Sequence, residues 1–305
     1  MDRIAIDDLT KDYGQGRGIF GVSFSVHKGE CFGFLGPNGA GKSTTIRHLM
    51  GFSTPDKGYA AIDGVVTVKD RSKALENVGY LPGEISLPGA LTGREFIKEQ
   101  SELKGLSDYA FADWLTALFQ LDTSLRCKDM SMGMKRKLTI VVAFMSDPDI
   151  LVMDEPSSGL DPKMQEVFIE LVKAEKKRGK TILMSSHIFS EIDSCCDRIA
   201  VIKDGKIVSI IDSDVIKHNE KKNYRLRFKN RKDYDAFANS QEGKSKAVDR
   251  DEKDLAMIVN VEDEDINTFL MSLKGLAIDD LSEIKLTLED YFMSFYKEDR
   301  TFGGL

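Results

Sequence analysis

The chain has 305 residues, of which 41% are hydrophobic and 30% charged, with 43 Lys plus Arg against 50 Asp plus Glu for a net charge of −7. That length suits about two domains with a sizeable core, and the composition excludes a disordered or fibrous chain. The acidic balance argues against a general nucleic-acid binder, whose affinity rests on neutralising phosphates.

In chain order, Cys31-Phe32-Gly33-Phe34-Leu35 predicts a buried strand and Thr44 to Met50 a helix. Gly105 to Asp129, with Trp114, Leu115, Leu118 and Phe119, predicts part of a helical insertion. Ile150 to Met153 and Thr181 to Met184 predict buried strands on either side of a helix near Lys163 to Arg178. Ile199 to Ile202 is a further strand, and Gly205-Lys206 turns the chain into a hairpin over Ile207 to Ile211. Strands alternating with helices in this way imply a mostly parallel sheet covered on both faces. Asp212 to Asn223 predicts a charged linker. Beyond it, Tyr224, Leu226 and Phe228 alternate with Arg225, Arg227 and Lys229, the period of an amphipathic strand. The basic run Lys221 to Lys232 therefore reads as a solvated strand face rather than an RNA or lipid patch. Leu255 to Val261 predicts a strand, Asp265 to Leu273 a helix, and Thr287 with Asp290 a capping box before a final helix.

The longest apolar run, Ile140 to Met145, falls far short of the ~20 residues a bilayer span needs. The opening Met-Asp-Arg-Ile-Ala-Ile-Asp-Asp has no apolar export segment. Cys31, Cys127, Cys195 and Cys196 lack metal-type spacing and read as ordinary buried thiols of a reducing compartment. Together these features predict a soluble, cytoplasmic protein.

Gly36-Pro37-Asn38-Gly39-Ala40-Gly41-Lys42-Ser43-Thr44 follows a strand, precedes a helix and satisfies G-x-x-x-x-G-K-[ST]. Glycines let successive backbone N–H groups curl around phosphate oxygens, and the helix N-terminus adds partial positive charge. Lys42 would reach the β- and γ-phosphates, and the Ser43 hydroxyl would ligate Mg²⁺. Asp154 ends a buried strand beside that loop, where it would hold Mg²⁺ or its waters. Glu155, one residue on, is placed to polarise an attacking water. His187 ends the next strand at the same sheet edge and is expected to contact the γ-phosphate, whereas His27, His48 and His218 read as structural. Ser131 is expected to cap a helix whose N–H groups form an anion site.

The order of these features resembles the nucleotide-binding subunit of ABC transporters, of the drug and antibiotic exporter branch, over roughly residues 1–215. The resemblance implies an α/β P-loop NTPase fold with an N-terminal antiparallel β part and a helical subdomain at about 85–145. It also implies a small C-terminal α+β accessory or regulatory domain over 216–305. By likeness, Tyr13 stacks on adenine, residues 36 to 44 form the phosphate loop, and Glu155 and His187 are catalytic. Ser131-Met132-Gly133 takes the place of the signature, so Ser131 and Gly133 would touch the nucleotide of a second subunit. Asp161 in Ser158-Gly159-Leu160-Asp161 falls in the family's D-loop. The chain departs from the pattern at two places: Gly83 stands where the family has Gln, with Glu84 beside it as a candidate metal ligand, and in the signature Met132 replaces a glycine and Met134 the usual Gln.

The implied activity is ATP hydrolysis with Mg²⁺, driving a separate transmembrane permease at the inner face of the cell membrane through a dimer of cassettes, with no nucleic-acid partner. The alternative is a soluble ABC-type ATPase of DNA repair or translation. Such proteins carry two cassettes or a long coiled-coil insertion, and neither pattern occurs between Lys42 and Asp154. A third alternative is a regulatory subunit that binds ATP without hydrolysing it, against which the presence of both Glu155 and His187 counts.

Overall fold

The chain opens with a hairpin in which β1 (Asp2–Asp12) pairs antiparallel with β2 (Gly18–His27). The computed structural model describes residues 2–214, 221–240, 243, 246–284, 288, 289 and 292. Next come β3 (Cys31–Leu35), α1 (Lys42–Leu49), β4 (Lys57–Ile62), β5 (Val65–Val66), α2 (Arg71–Ala74) and β6 (Val78–Leu81). Three helices follow: α3 (Gly93–Leu103), α4 (Ala110–Leu118) and α5 (Met132–Phe144). The chain then alternates through β7 (Ile150–Asp154), α6 (Pro162–Lys177), β8 (Thr181–Ser186) and α7 (Phe189–Cys195) before the hairpin of β9 (Arg198–Lys203) and β10 (Lys206–Asp212).

These elements make two sheets. The antiparallel one runs β2-β1-β4-β5, and the larger one β10-β9-β3-β8-β7-β6, parallel except for β10. Strands β3, β7 and β8 are buried along their whole length, as expected where helices cover both faces of a parallel sheet. Phe24 of β2 stacks on Phe32 of β3 with ring centroids 5.0 Å apart, inside a core that also holds Ile46, Val152, Leu183 and Ile202. Each such side chain contributes about 1.5–3 kcal/mol of burial. Gly33 is required in β3, because a Cβ there would come within 2.7 Å of Ile192 on α7.

The helical segment opens on a local signal in the sequence. Thr92 and Glu95 form a capping box: Glu95 N donates to Thr92 Oγ1 at 3.2 Å and Thr92 N to Glu95 Oε2 at 2.8 Å. That reciprocal pairing starts α3 at Gly93, inside the span of about 85–145 expected for the helical subdomain.

Contacts divide the chain into two compact units, Met1–Ser213 and Asp214–Leu305. The second contains β11 (Lys221–Phe228), α8 (Arg231–Asn239), β12 (Ala247–Asp251), β13 (Ala256–Glu262), α9 (Ile266–Ser272) and β14 (Ile278–Ile284). Its antiparallel sheet has the order β12-β13-β11-β14. The β-α-β-β-α-β succession with that order is the ferredoxin-like arrangement. Leu226 and Phe228 are buried while Arg225 and Arg227 are exposed, so the basic run does form a solvated strand face. The charged segment over Asp212 to Asn223 is shorter as a connection than predicted, because the ladder of β11 with β13 already begins at Lys221. Of the final capping box, Thr287 and Asp290 lie outside the described residues, as does His218. Among the described residues no helix is long and apolar enough to cross a membrane.

Candidate active site

The carboxyl ends of the adjacent strands β3, β8 and β7 lie at one edge of the parallel sheet, where ligands of open α/β sheets bind. From β3 the chain enters the loop 36–41 and then α1, whose first residue is Lys42. Close packing explains the composition of this loop. A Cβ on Gly36 would lie 2.5 Å from the Ile202 carbonyl oxygen, and one on Gly41 would lie 2.7 Å from the Ile19 side chain. Gly41 also has φ +110°, and Gly39 φ +83°. Gly205 N donates to the Ala40 carbonyl at 3.0 Å, fastening the loop to the β9–β10 turn.

Lys42 is buried, and its ammonium donates to the Gly36 carbonyl at 2.6 Å and the Pro37 carbonyl at 3.1 Å. It also lies 3.0 Å from Glu155 Oε1. Glu155 follows β7 directly, in the left-handed region at φ +48°. Its other oxygen, Oε2, is 2.7 Å from His187 Nδ1, just past β8. Lys42, at the start of α1, and His187, just past β8, thus share the carboxylate of Glu155.

Asp154 joins them through a residue that sequence reasoning missed. Ser185 Oγ donates to Asp154 Oδ1 at 2.6 Å and accepts from Glu155 N at 3.1 Å. The next hydroxyl, Ser186 Oγ, donates to Glu191 Oε2 at 2.8 Å. Two adjacent serines ending an otherwise apolar strand were the available signal, since a buried hydroxyl needs a partner.

Arg136 was missed as well. It is 2% exposed, on the core face of α5. Its guanidinium donates to the carbonyl oxygens of Pro82 at 2.7 Å, Gly83 at 2.7 Å and Ser158 at 3.0 Å. Burial lowers its pKa, while Asp154 and Glu155 act in the opposite direction. Arg136, Ile140 and Ala143 are all buried at i, i+4 and i+7, so a cation on an apolar stripe was the signal.

The remaining predicted residues stand apart from this group. Ser131 caps α5, its Oγ accepting from Met134 N at 3.2 Å. A Cβ on Gly133 would lie 2.8 Å from the Gly159 carbonyl, so the start of α5 packs directly on the 158–161 turn. Asp161 caps α6, accepting from Met164 N at 3.0 Å through Oδ1. Tyr13 is 53% exposed beside β1, and Glu84, Ser43 and Asn38 are exposed. Ser131, Tyr13 and Glu84 make no hydrogen bond or ion pair with the Lys42–Glu155–His187 group among the described residues.

Residues 19–158 match the family model described as ABC transporter. The chain is 38% identical over 209 residues to the linearmycin resistance ATP-binding protein LnrL of Bacillus subtilis, covering 67% of each chain. It is 35% identical over 214 residues to the Nod factor export ATP-binding protein I of Rhizobium etli, covering 68% of each. Among solved structures, an ATP-binding subunit of an ABC transporter superposes with a TM-score of 0.63 at 30% identity, over 70% of this chain and 91% of that one. An ATP-binding cassette solved as a dimer with ADP and Pi shares the fold, with a TM-score of 0.61 at 22% identity over 69% of this chain and 98% of that one. With its phosphate loop and carboxylate at one sheet edge, the chain belongs to the ABC transporter ATP-binding proteins and is an ATPase subunit of that family.

Proposed function

We propose that this subunit powers an exporter by closing on ATP with a second cassette, most simply another copy of itself, and docking on a separate transmembrane permease. It would then sit at the cytoplasmic face of the membrane. The names of the two relatives, a resistance protein and an export protein, support that direction of transport. The observation that carries the chemistry is the shared carboxylate, with Lys42 3.0 Å from one oxygen of Glu155 and His187 2.7 Å from the other.

In this reading, the γ-phosphate takes over the Lys42 ammonium, and Glu155, held by His187, orients and deprotonates the attacking water. Residues Gly36 to Thr44 wrap the phosphates and Tyr13 stacks on adenine. Ser131 and Gly133 reach the nucleotide of the second cassette, and Asp161 meets that cassette while capping α6. Catalysis is mainly positioning and charge stabilisation.

Mg²⁺ would be held by the Ser43 hydroxyl and Asp154. Both are hard oxygen donors of the kind Mg²⁺ takes. The fit is supported at Gly83, where a Cβ would stand 2.7 Å from Asp154 Oδ2, so the absent side chain keeps that oxygen approachable. When bound, the ion neutralises charge on the β- and γ-phosphates. Glu84 is proposed as an auxiliary ligand; an unchanged Mg²⁺ requirement in Glu84→Ala removes it from the set. Residues 216–305 are assigned as an accessory domain.

The deciding experiment is Glu155→Gln with ATP and Mg²⁺, followed by mass determination in solution. Retained ATP binding, lost turnover and an ATP-dependent dimer are expected. Turnover at the wild-type rate would remove Glu155 as the base, and a persistent monomer would remove the paired cassette.

A further inference from the structure

The ligand-capable sulfur atoms of Cys31, Cys195 and Cys196 all lie within 4.8 Å of one another. Cys31 opens β3, and Cys195 and Cys196 stand at the end of α7. Cys31 Sγ is 3.7 Å from Cys196 Sγ, and Cys195 Sγ is 3.7 Å from the thioether of Met184 on β8. All four side chains are buried. Two sulfurs bound tetrahedrally to one ion at ~2.3 Å lie ~3.8 Å apart, close to both separations.

Free cysteines are often buried singly as small apolar groups. That habit does not explain why three thiols and a thioether meet from three separate elements. Gly33 helps to make the space, since a Cβ there would lie 3.1 Å from Cys196 Sγ. Lys176 places an ammonium beside the cluster, donating to the Cys195 carbonyl at 3.1 Å. A nearby cation offsets the charge of ionised thiols.

We propose that Cys31, Cys195 and Cys196, with Met184 as a weaker donor, form a binding site for one soft d10 cation of the copper(I), zinc(II) or cadmium(II) class. Thiolate and thioether donors select such ions, and binding releases thiol protons to solvent. The ion would tie the strand that feeds the phosphate loop to the helix that follows His187.

The test titrates the reduced, full-length protein with cadmium(II) alone and follows thiolate-to-metal charge-transfer absorption. One cadmium per chain is expected in the wild type and in Cys127→Ser, which lies outside the cluster. Cys31→Ala and Cys196→Ala should each bind at least tenfold more weakly while retaining ATP binding. Copper(I) and zinc(II), added in separate arms, should displace the cadmium, and the tighter competitor names the ion. Displacement by neither overturns the assignment, as does the absence of stoichiometric absorption in the wild type. Wild-type affinity in an alanine variant that still binds ATP overturns it as well. Should the variants fail to fold, X-ray absorption of the cadmium-loaded wild type decides, with at least three sulfur neighbours expected and fewer overturning the site.

Discussion

Lys42 Nζ lies 3.0 Å from Glu155 Oε1, while the second oxygen of that carboxylate lies 2.7 Å from His187 Nδ1. Glu155 is therefore held at both ends, by the Lys42 ammonium and by the His187 imidazole. If Glu155 is the base, as proposed, His187 acts through it at 2.7 Å, and the two should not contribute independently. Glu155→Gln is expected to lower ATP turnover by ~10²–10⁴-fold, the usual contribution of a general base. His187→Ala should lower it too, and the double variant should be no slower than Glu155→Gln within a factor of a few. Steady-state ATPase rates on the three proteins check this, and losses that multiply would assign His187 a separate role.

Arg136 holds the carbonyls of Pro82, Gly83 and Ser158 with a single planar guanidinium. Lysine keeps the charge but cannot present that fork. Arg136→Lys should leave at least one buried carbonyl without a donor and destabilise the protein by about 1–3 kcal/mol. Arg136→Met, which leaves all three unpaired, should cost more. Denaturant unfolding of both variants gives the ranking. Equal stability of the wild type and Arg136→Met would show that water replaces the guanidinium.

The elements legible in the sequence were those whose burial pattern is local. Strand β3 occupies the predicted Cys31–Leu35, and β7 and β8 extend the predicted apolar runs only by the polar residues at their ends. The positions of the 36–44 loop, of Asp154-Glu155 and of His187 at neighbouring strand ends were likewise legible, because each is a short motif whose context is a strand end. What escaped was long-range. Nothing near Arg136 in the chain reveals that residues 82, 83 and 158 wait for its donors. Ser185 likewise shows its purpose only when β8 lies against β7. All four cysteines are free and buried, as expected, but the meeting of three of them was not legible: Cys31 and Cys196 are 165 positions apart and come together only in the fold.

Two glycines of the phosphate loop should respond differently to a methyl group. At Gly36 a Cβ would meet the Ile202 carbonyl at 2.5 Å, so backbone must move, at a cost of about 1–3 kcal/mol. At Gly39 nothing lies within 4 Å, and Gly39→Ala meets only the backbone strain of φ +83°, about 1–2 kcal/mol. Gly36→Ala should therefore also displace the loop and weaken ATP binding more than Gly39→Ala does. Calorimetric titration with ATP separates the two, and the reverse order would mean that β9 yields to the added methyl.

The capping box at the start of α3 predicts a specific pH dependence. The Thr92 backbone N–H, and secondarily its hydroxyl, hold the Glu95 carboxyl below its ordinary value of 4.5. A carboxyl depressed in the folded state stabilises fully above its unfolded value, and that contribution disappears as pH falls through the folded one. Glu95→Ala should therefore be less stable than the wild type near neutral pH, and the difference should shrink below about 4.5 as the wild-type carboxylate takes up its proton. Thr92→Ala removes the reciprocal bond as well and should cost about 1 kcal/mol at neutral pH. Urea midpoints of the three proteins across this range supply the measurement. A wild-type advantage over Glu95→Ala that stays constant down to pH 3 would mean that packing of the Glu95 side chain, not its charge, begins the helix.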